Sequence, residues 1–458
     1  MIDSVRSAFL LPDLRRRILF TVFLLVVYRL VANIPVPGVN LEAWLAFTSQ
    51  PIGNNQVITF LDFLSGGAVR NFSVMAMGVY PYITASIIIQ LITPIIPQLE
   101  ELASEGESGR NKINRYTYYL TVPLAIVNAV GQIRLVGFSY QSVGGLEVIM
   151  PHFGFAPDQL LATFTTLLAM LGGTMFAIWL GEMITEDGIG QGISLIIFGG
   201  IVSGILPNIA GMFSLPDMVT RVFTFVAFIV ITVLTVLVIV IVQEGQRRIP
   251  VQYGRRVRGR KVYQGQSSFI PLKVNTAGMI PIIFAQSILT FPPLIAGLFV
   301  TNSGSALDRI AQTIAAFGSR QDPTVNPWLF FFYWFFFFLL VVGFTFFYTD
   351  VMVQQQNIPQ TLQRQGGFIP GIRPGKRTAD YIMAVVRRIT LAGALFLGII
   401  AVLPGIMQAI GAILGLPGIE QSVVVVSGSG LIIIVGVVID TMRQLEAQLL
   451  MRNYEGFI

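Results

Sequence analysis

Apolar stretches of membrane-spanning length recur along the whole chain. About 20 helical residues cross the hydrocarbon layer of a bilayer, so each stretch predicts a transmembrane helix. The longest uncharged stretch, Val222–Val242, contains no polar residue beyond three threonines, and a helix that is apolar all round suits lipid better than a water-soluble fold. Proline or glycine is expected to interrupt the second, fifth and seventh spans. The ten predicted spans are Ile18–Ile34, Val74–Ile96, Tyr116–Val136, Leu160–Leu180, Ile189–Leu206, Val222–Val242, Ala277–Val300, Trp328–Tyr348, Ile389–Leu403 and Ser422–Ile439.

The composition agrees with a membrane protein and excludes several kinds of chemistry. Hydrophobic residues make up 54% of the chain and charged residues 11%. That charged share is roughly half of the ~25% found in soluble domains. Cysteine is absent and His152 is the single histidine, so a cysteine–histidine zinc site or a histidine-based catalytic triad cannot be assembled. The sequence predicts no cofactor, no metal site and no catalytic residue.

The basic residues are distributed unevenly between the two sides of the membrane. If residue 1 starts in the cytoplasm, 23 of the 29 lysines and arginines fall on the cytoplasmic side. Cytoplasmic segments of membrane proteins carry such an excess, which places both termini inside. The six exceptions are Arg70, Arg221, Arg309 and Arg320 on the opposite side, and Arg29 and Arg134 within spans.

The spans divide evenly along the chain. Five precede residue 210 and five follow it, which predicts an N-terminal half over 1–210 and a C-terminal half over 211–458. An odd number of spans in each half gives the halves opposite orientations, as inverted repeats require. The predicted fold class is an all-α polytopic membrane protein with two pseudo-symmetric halves of five helices.

The acidic residues avoid the centres of the spans, which bears on the function class. Glu182, Asp350 and Asp440 lie at span ends. Ion-coupled transporters usually need an ionisable residue in mid-membrane, so the absence of acidic residues from the span centres disfavours a secondary solute transporter. That class remains the main alternative, because it shares inverted repeats and broken helices. A membrane enzyme is disfavoured because the sequence offers no nucleophile, base or metal ligands for one. The sequence also has no P-loop, so any driving energy must come from a partner or from the proton gradient.

Two basic cytoplasmic loops stand out. The loop over 243–273 holds eight basic residues, and its alternating run RRVRGRKVY predicts a projecting hairpin. Within the loop over 350–388, the segment Gly366–Ile382 has prolines and glycines that fix a turn around Arg373. Such loops can simply set topology and attract anionic lipid. A projecting basic finger also suits a large anionic partner such as ribosomal RNA, and the loops alone leave both readings open.

A short apolar piece, FLDFLSGGAV over Phe60–Val69, lies between the first two spans on the exoplasmic side. It contains a Gly-Gly pair and is too short to cross a bilayer. The sequence therefore predicts a re-entrant segment or one packed into a cavity.

Seven stretches follow one another along the chain: FLSGGAV, VYPYITASIIIQL, EGESGRNKINRYT, EDGIGQGISLIIFGGIV, PLKVNTAGMIPIIFAQSI, FIPGIRPGKRTADYI and SGSGLIIIVGVVID. In this order they resemble motifs of the SecY family, the channel-forming subunits of the bacterial protein translocase, and the resemblance covers about residues 12 to 455. The resemblance implies a passive protein-conducting channel in the inner (cytoplasmic) membrane and no enzyme. It further implies two halves that open like a clamshell, with a pore between them and a lateral gate towards lipid. The implied partners are the SecE and SecG subunits, the SecA ATPase motor, a translating ribosome, signal sequences, unfolded secretory proteins and membrane lipid.

The resemblance also implies roles for individual residues. A plug maps onto Phe60–Arg70, with Phe60, Leu61, Phe63, Leu64, Ser65, Gly66 and Gly67 as its core. A pore ring of stiff β-branched side chains maps onto Val79, Ile83, Ile193, Ile197, Ile283 and Ile433. Thr84, Asn128 and Phe291 map onto the lateral gate, where Thr84 and Phe291 are expected to face each other and the third polar position of the family is apolar. Arg255, Arg256 and Arg373 map onto the docking surface for the ribosome or SecA.

Overall fold

A computed structural model gives the fold of most of the chain. It describes residues 11–48, 56–139, 145–154, 156–213, 218–253, 256–258, 261–263, 267–300, 305–319, 327–356, 358–373, 375–414 and 428–455. The helices are α1 Pro12–Val31, α2 Leu41–Thr48, α3 Gln56–Leu64, α4 Tyr80–Ile92, α5 Pro97–Ser104, α6 Glu107–Ser139, α7 Gly145–Ile149, α8 Leu160–Asp187, α9 Gly192–Phe213, α10 Met218–Glu244, α11 Ile280–Phe299, α12 Ala306–Ser319, α13 Pro327–Gln356, α14 Ile358–Arg364, α15 Lys376–Leu414 and α16 Gly428–Glu455. The strands are β1 Gln246–Tyr253, β2 Arg256–Arg258, β3 Lys261–Tyr263, β4 Ser267–Lys273 and β5 Gly367–Phe368.

The prediction of a helical, multi-pass membrane protein is confirmed. Within the described residues, six helices are long and apolar enough to cross a membrane, and a bent pair of helices would make a seventh. The remaining three predicted spans correspond to α1, α9 and α16. Helix α1 includes three consecutive arginines from Arg15, the apolar part of α9 covers only Gly192–Ile205, and the start of the tenth span over 422–427 lies outside the described residues.

The second predicted span is shorter and more sharply bent than the sequence suggested. Its helix α4 begins only at Tyr80, after a series of turns in which Gly78 has a φ of +50°. The chain then bends by 106° before α5. Proline explains both limits, because Pro81 suits a first helical turn whereas Pro94 and Pro97 cannot continue a helix.

The expectation that proline or glycine interrupts the fifth and seventh spans is wrong within their helices. In the fifth span, α9 runs unbroken over Gly192–Phe213. Helix α11 runs unbroken over Ile280–Phe299 with Pro292 and Pro293 inside it. Most of its side chains are buried against other helices, and such packing can hold a membrane helix together where proline removes backbone hydrogen bonds. Helix α11 packs against α4 and α6, which precede residue 210, and against α12 and α13, which follow it.

One hydrophobic cluster forms the core and draws side chains from most of the long helices. Helices α4, α6 and α8 pack in sequence, α13 packs along α15, and α9 lies against both α3 and α16. The outward faces of α1, α10 and α13 are apolar and exposed, as expected for surfaces that meet lipid. The core therefore lies where helices from before and after residue 210 meet.

A small β-structure adds to the helical fold on the predicted cytoplasmic side. Strand β1 pairs with β4 in an antiparallel ladder that includes Ile249 opposite Ile270, and β5 pairs with the other edge of β1. Strands β2 and β3 form a separate antiparallel ribbon with Val257 opposite Val262. The loop over 243–273 thus contains the hairpin predicted from its alternating pattern, and β5 joins it to the second basic loop.

Candidate pore, plug and lateral gate

The predicted plug is buried inside the protein. Its helix α3 packs against α9 and the exoplasmic helix α12. The side chains of Leu61 and Leu64 are almost completely buried, and the ring of Phe60 meets the ring of Tyr80 edge to face with centroids 6.4 Å apart. The side chain of Phe63 lies outside the described residues. The apolar piece found in the sequence is therefore packed into the core rather than laid on the surface.

A turn at the end of α3 explains why glycines follow it. Gly66 and Gly67 have φ values of +67° and +80°, which L-residues with a side chain rarely adopt. A Cβ atom on Gly66 would lie 2.6 Å from Cε1 of Tyr28. A Cβ on Gly78, beside the predicted ring, would lie 2.5 Å from the Cα of Ser65. The turn therefore fits closely between the first span and the segment that leads into α4.

An ion pair closes the predicted plug on itself. The side chain of Arg70 donates from Nε to Oδ2 of Asp62 at 2.8 Å, and the Arg70 amide donates to Oδ1 at 3.2 Å. Burial raises the pKa of Asp62 above its ordinary value, and the Arg70 charge opposes that shift without cancelling it. Asp62 is thus the buried acidic group of the predicted plug, and its charge interacts with Arg70 and also with Arg29.

All six predicted ring residues belong to the central hydrophobic cluster. Five are buried, and Ile193 packs against the cluster with its side chain half-buried beside Gly181 of α8. They come from the start of α4 and from α9, α11 and α16, so the cluster joins elements far apart in sequence. Neither isoleucine nor valine offers a hydrogen-bonding side chain. The arrangement can form an apolar constriction, and the role of each residue in a ring stays a prediction.

Helices α6 and α11 meet backbone to backbone at the predicted gate. A Cβ atom on Gly131 of α6 would lie 2.5 Å from the carbonyl oxygen of Leu294, and one on Gly297 would lie 3.0 Å from the carbonyl oxygen of Gly131. Towards the exoplasmic end, Nη1 of Arg134 donates to the carbonyl oxygens of Leu298 and Val300 at 3.4 Å. A cation beside these last carbonyls of α11 also complements the helix dipole.

The contacts between the gate helices give their relative directions. Helix α6 runs parallel to α11, as the contacts above show, and antiparallel to α4, because Gln132 donates to the carbonyl of Ala76 while Tyr118 stacks on Tyr82 further along α4. Helices α4 and α11 are therefore antiparallel to each other. The hydroxyl of Tyr80 donates to the carbonyl oxygen of Ser287 at 3.3 Å and joins the two helices.

Thr84 lies one turn beyond Tyr80 on α4, and Phe291 lies one turn beyond Ser287 on α11. The pairing of Thr84 with Phe291 across the gate stays a prediction.

Several buried polar groups at this interface have no hydrogen-bond partner within the described residues. They are both side-chain amide atoms of Asn128 and the hydroxyl groups of Ser287 and Thr290. Leaving such a group buried and unpaired costs about 1–3 kcal/mol. Ser287 and Thr290 were missed in the sequence, where the resemblance gave Thr84 and Asn128 as the polar pair of the gate. A closed interface with unpaired polar groups is held less firmly than a fully apolar one.

The two basic loops form one platform. Strand β5 follows α14, and its Phe368 pairs with Gln252 of β1. A separate hydrophobic cluster lies beneath the strands and includes Ile249, Leu362 and Ile382 from the two loops. Arg373 is exposed on the turn after β5, Arg256 begins β2, and Arg255 lies outside the described residues. Of the predicted docking residues, Arg373 thus follows the strand that joins the second loop to the first, and the role of all three in docking stays a prediction.

Comparison with known proteins identifies the family. The family model described as SecY matches residues 73–442. The chain belongs to the SecY family. It is 40% identical to the protein translocase subunit SecY of Halalkalibacterium halodurans over 466 aligned residues, which cover 100% of both proteins. It is also 40% identical to the SecY subunit of Thermus thermophilus, covering 100% of this chain and 98% of that one.

Solved structures show the same fold at lower sequence identity. One described as a protein-conducting channel has a TM-score of 0.61 at 18% identity, covering 94% of this chain and 91% of that one. A Sec61 channel in a canine ribosome–channel complex from the endoplasmic reticulum has a TM-score of 0.59 with the same identity and coverage. A third, with a TM-score of 0.61, 18% identity and the same coverage, concerns a SecY plug domain that stabilises the closed state. These neighbours are SecY and Sec61 channels with a ten-helix fold.

Proposed function

We propose that the chain is the pore subunit of the protein translocase of the bacterial cytoplasmic membrane. It passes unfolded polypeptides across the membrane and releases transmembrane segments sideways into lipid. The observation that carries this proposal is the arrangement at the centre of the molecule. A buried plug helix lies beside a cluster of apolar ring residues, next to helices α4, α6 and α11, whose contact surface includes close glycine packing and unpaired polar groups.

The apolar ring supplies the seal. A narrow neck of isoleucine and valine dewets when it is empty and so blocks water and ions. Because these side chains form no hydrogen bonds, the ring can close around a polypeptide of any sequence. The plug adds a second barrier on the exoplasmic side. Opening then requires the plug to leave and the halves over 1–210 and 211–458 to move apart.

Sideways release follows from the position of the gate helices. A segment in the pore meets lipid when α4 and α6 separate from α11. Each central leucine, isoleucine, phenylalanine or valine then favours lipid by about 0.3–0.6 kcal/mol. Summed over the apolar core of a signal sequence, this preference exceeds thermal energy severalfold, so apolar segments leave and polar ones continue.

The cytoplasmic platform supplies the docking surface for the partner that drives movement. In this proposal, its exposed basic residues receive the SecA motor or the ribosome, and SecE and SecG complete the channel in the membrane. The channel itself performs no catalysis. The canine relative that forms a ribosome–channel complex supports this part of the proposal. The solute-transporter alternative is not favoured, because full-length relatives carry the translocase name.

Reconstitution tests the proposal. The purified chain, combined with a SecE-like subunit in lipid vesicles, should translocate an unfolded preprotein into a protease-protected space when SecA and ATP are added. Vesicles without the chain serve as the control. Failure of translocation with a SecE subunit bound, or proton- or sodium-coupled uptake of a small solute, would contradict the proposal. Copurification of a small SecE-like helical protein in gentle detergent provides an independent check.

A further inference from the structure

The first span reaches the turn of the predicted plug with two consecutive side chains. The buried hydroxyl of Tyr28 donates to the carbonyl oxygen of Ser65 at 2.7 Å. The guanidinium of Arg29 donates from Nη1 to the carbonyl oxygen of Gly66 at 2.5 Å. Arg29 is one of the two arginines that the sequence places within a span. A charged residue there is expensive and usually has a specific partner.

The two donors reach the turn that follows the plug helix. Helix α3 stops at Leu64, and amides of the turn pair its last carbonyl groups, since Ser65 donates to the carbonyl of Leu61 and Gly67 to that of Asp62. The carbonyl of Ser65 accepts from the amide of Ala68 at 3.3 Å and also from Tyr28, and the carbonyl of Gly66 accepts from Arg29. Tyr28 and Arg29 therefore add donors from the first span to carbonyl groups buried away from water. The close approach depends on glycine, since a Cβ on Gly67 would lie 2.9 Å from Nη1 of Arg29.

A second set of contacts joins the end of the plug segment to the end of the first span. The amide of Val36 donates to the carbonyl of Phe72 at 2.9 Å, and that of Val74 donates to the carbonyl of Ile34 at 3.0 Å. The side chain of Asn71 also donates to Asn33. These are mostly backbone bonds between two chain segments, and they resemble a strand pairing. They fix the point at which the plug segment joins the rest of the protein.

The two sets of contacts differ in kind. The contacts of Tyr28 and Arg29 join side chains to a glycine turn, which can separate without unfolding any element. The contacts between 33–36 and 71–74 are a backbone ladder that must break if those segments part. A plug that leaves the closed position therefore has a separable contact at its turn and a fixed attachment just beyond it.

We propose that Tyr28 and Arg29 are positioning residues that form a latch for the plug, and that 71–74, paired with 33–36, form the hinge about which the plug moves. The inference rests on the proposed channel function and on the assignment of the plug. The latch holds the closed state through two hydrogen bonds to Ser65 and Gly66. Opening breaks both bonds, and the hinge keeps the plug attached to the first span.

The absence of cysteine permits a direct test. Ser65→Cys places one thiol beside the latch, where the native side chain is fully buried. A membrane-impermeant maleimide added from the exoplasmic side should label it only when the plug leaves. Tyr28→Phe removes a single oxygen and should speed labelling by about fivefold, and Arg29→Gln by about tenfold or more, in line with the strengths of neutral and charged hydrogen bonds.

Matched variants separate a latch from general loosening. Tyr381→Phe and Arg388→Gln make the same chemical changes at exposed cytoplasmic positions and should leave labelling at the parent rate. Asn71→Ala removes a side-chain bond at the hinge but leaves the latch, so it should also label slowly. All variants should show the same thermal stability in detergent within a few degrees.

The outcomes distinguish a failure of the latch from a failure of the proposed channel function. Parent-like labelling of both latch variants, in channels that still translocate preproteins, would overturn the latch and leave the channel function standing. Equal acceleration by Asn71→Ala would overturn the distinction between latch and hinge. A parent chain that translocates nothing would instead contradict the proposed function.

Discussion

A Cβ atom on Gly131 would lie 2.5 Å from the carbonyl oxygen of Leu294, so the third and seventh spans touch through their backbones. Glycine at this point lets α6 and α11 approach more closely than any side chain would allow. Close packing of this kind contributes to helix association in membranes, where the hydrophobic effect does not drive helices together. The crossing therefore lies at the interface that, in the proposed function, opens to release a segment into lipid.

Gly131→Ala should weaken the closed gate. The added methyl group cannot fit beside Leu294 unless α6 and α11 move apart, and such overpacking typically costs about 1–3 kcal/mol. Cells carrying the variant should export substrates with defective signal sequences more efficiently than the parent. Export of such substrates, measured by signal cleavage, checks this expectation.

Two other glycines provide controls for that variant. A Cβ on Gly172 of α8 or on Gly343 of α13 would meet nothing within 4 Å. Gly172→Ala and Gly343→Ala make the same change in other spans and should export like the parent. If all three variants behave alike, the close crossing at Gly131 has no part in gating.

The sequence predicted the membrane fold well because its signal is averaged over many residues. Apolar stretches such as Val222–Val242 mark a span whatever their neighbours, and the excess of basic residues on one side depends on totals. The second span was placed too long, since hydropathy does not register the turns before Tyr80. The seventh span was expected to break because packing around Pro292 and Pro293 is invisible in a sequence.

The sequence predicted which elements form the candidate site better than it predicted which of their residues contact each other. The predicted ring positions all reach one apolar cluster, because burial follows from apolar side chains on buried helices. The pairing of Thr84 with Phe291 stays a prediction, since register depends on contacts between distant segments that a single sequence does not show. Arg29 gave the one available signal for the latch, an arginine inside a span, while nothing in the sequence near Tyr28 indicates that it contacts residue 65.

The apolar ring should tolerate a change of size better than a change of polarity. Ile433→Asn places an amide in the buried cluster, which should hydrate the neck and ease opening. The resting channel should then conduct more ions in a planar bilayer and export substrates with defective signals. Ile283→Asn should act in the same direction from the opposite helix.

A conservative variant provides the control for the ring. Ile433→Val keeps the apolar, β-branched character and removes one methylene, so it should lower stability by about 0.5–1.5 kcal/mol without raising conductance. Normal conductance and normal export in the asparagine variants, at parent levels of expression, would remove these two residues from the ring.

The basic platform should bind its partner largely through charge. Reversal of Arg255, Arg256 or Arg373 to glutamate should weaken binding of SecA or ribosomes, and binding of the parent should fall as salt rises, because charges are screened beyond about 10 Å at 0.1 M salt. Binding measured across a salt series checks both effects. Arg309→Glu, on the predicted exoplasmic side, should bind like the parent. Salt-independent binding that survives the reversals would mean that the loops only set topology.

Acidic pH on the exoplasmic side should stabilise the closed plug through Asp62. Burial raises the pKa of this carboxyl group above its ordinary value of 3.8, despite the neighbouring Arg70. A displaced plug exposes the group to water, where its pKa returns towards the ordinary value. The closed state therefore binds a proton more readily, so its stability increases as pH falls through the raised pKa and is lost as pH rises through it.

The ion conductance of the resting channel should fall as exoplasmic pH is lowered from neutrality towards the ordinary carboxyl range. Asp62→Asn cannot ionise and should abolish this dependence, whereas Asp158→Asn, which changes an exposed carboxyl group, should preserve it. A pH dependence that persists unchanged in the Asp62→Asn channel would assign the effect to another group.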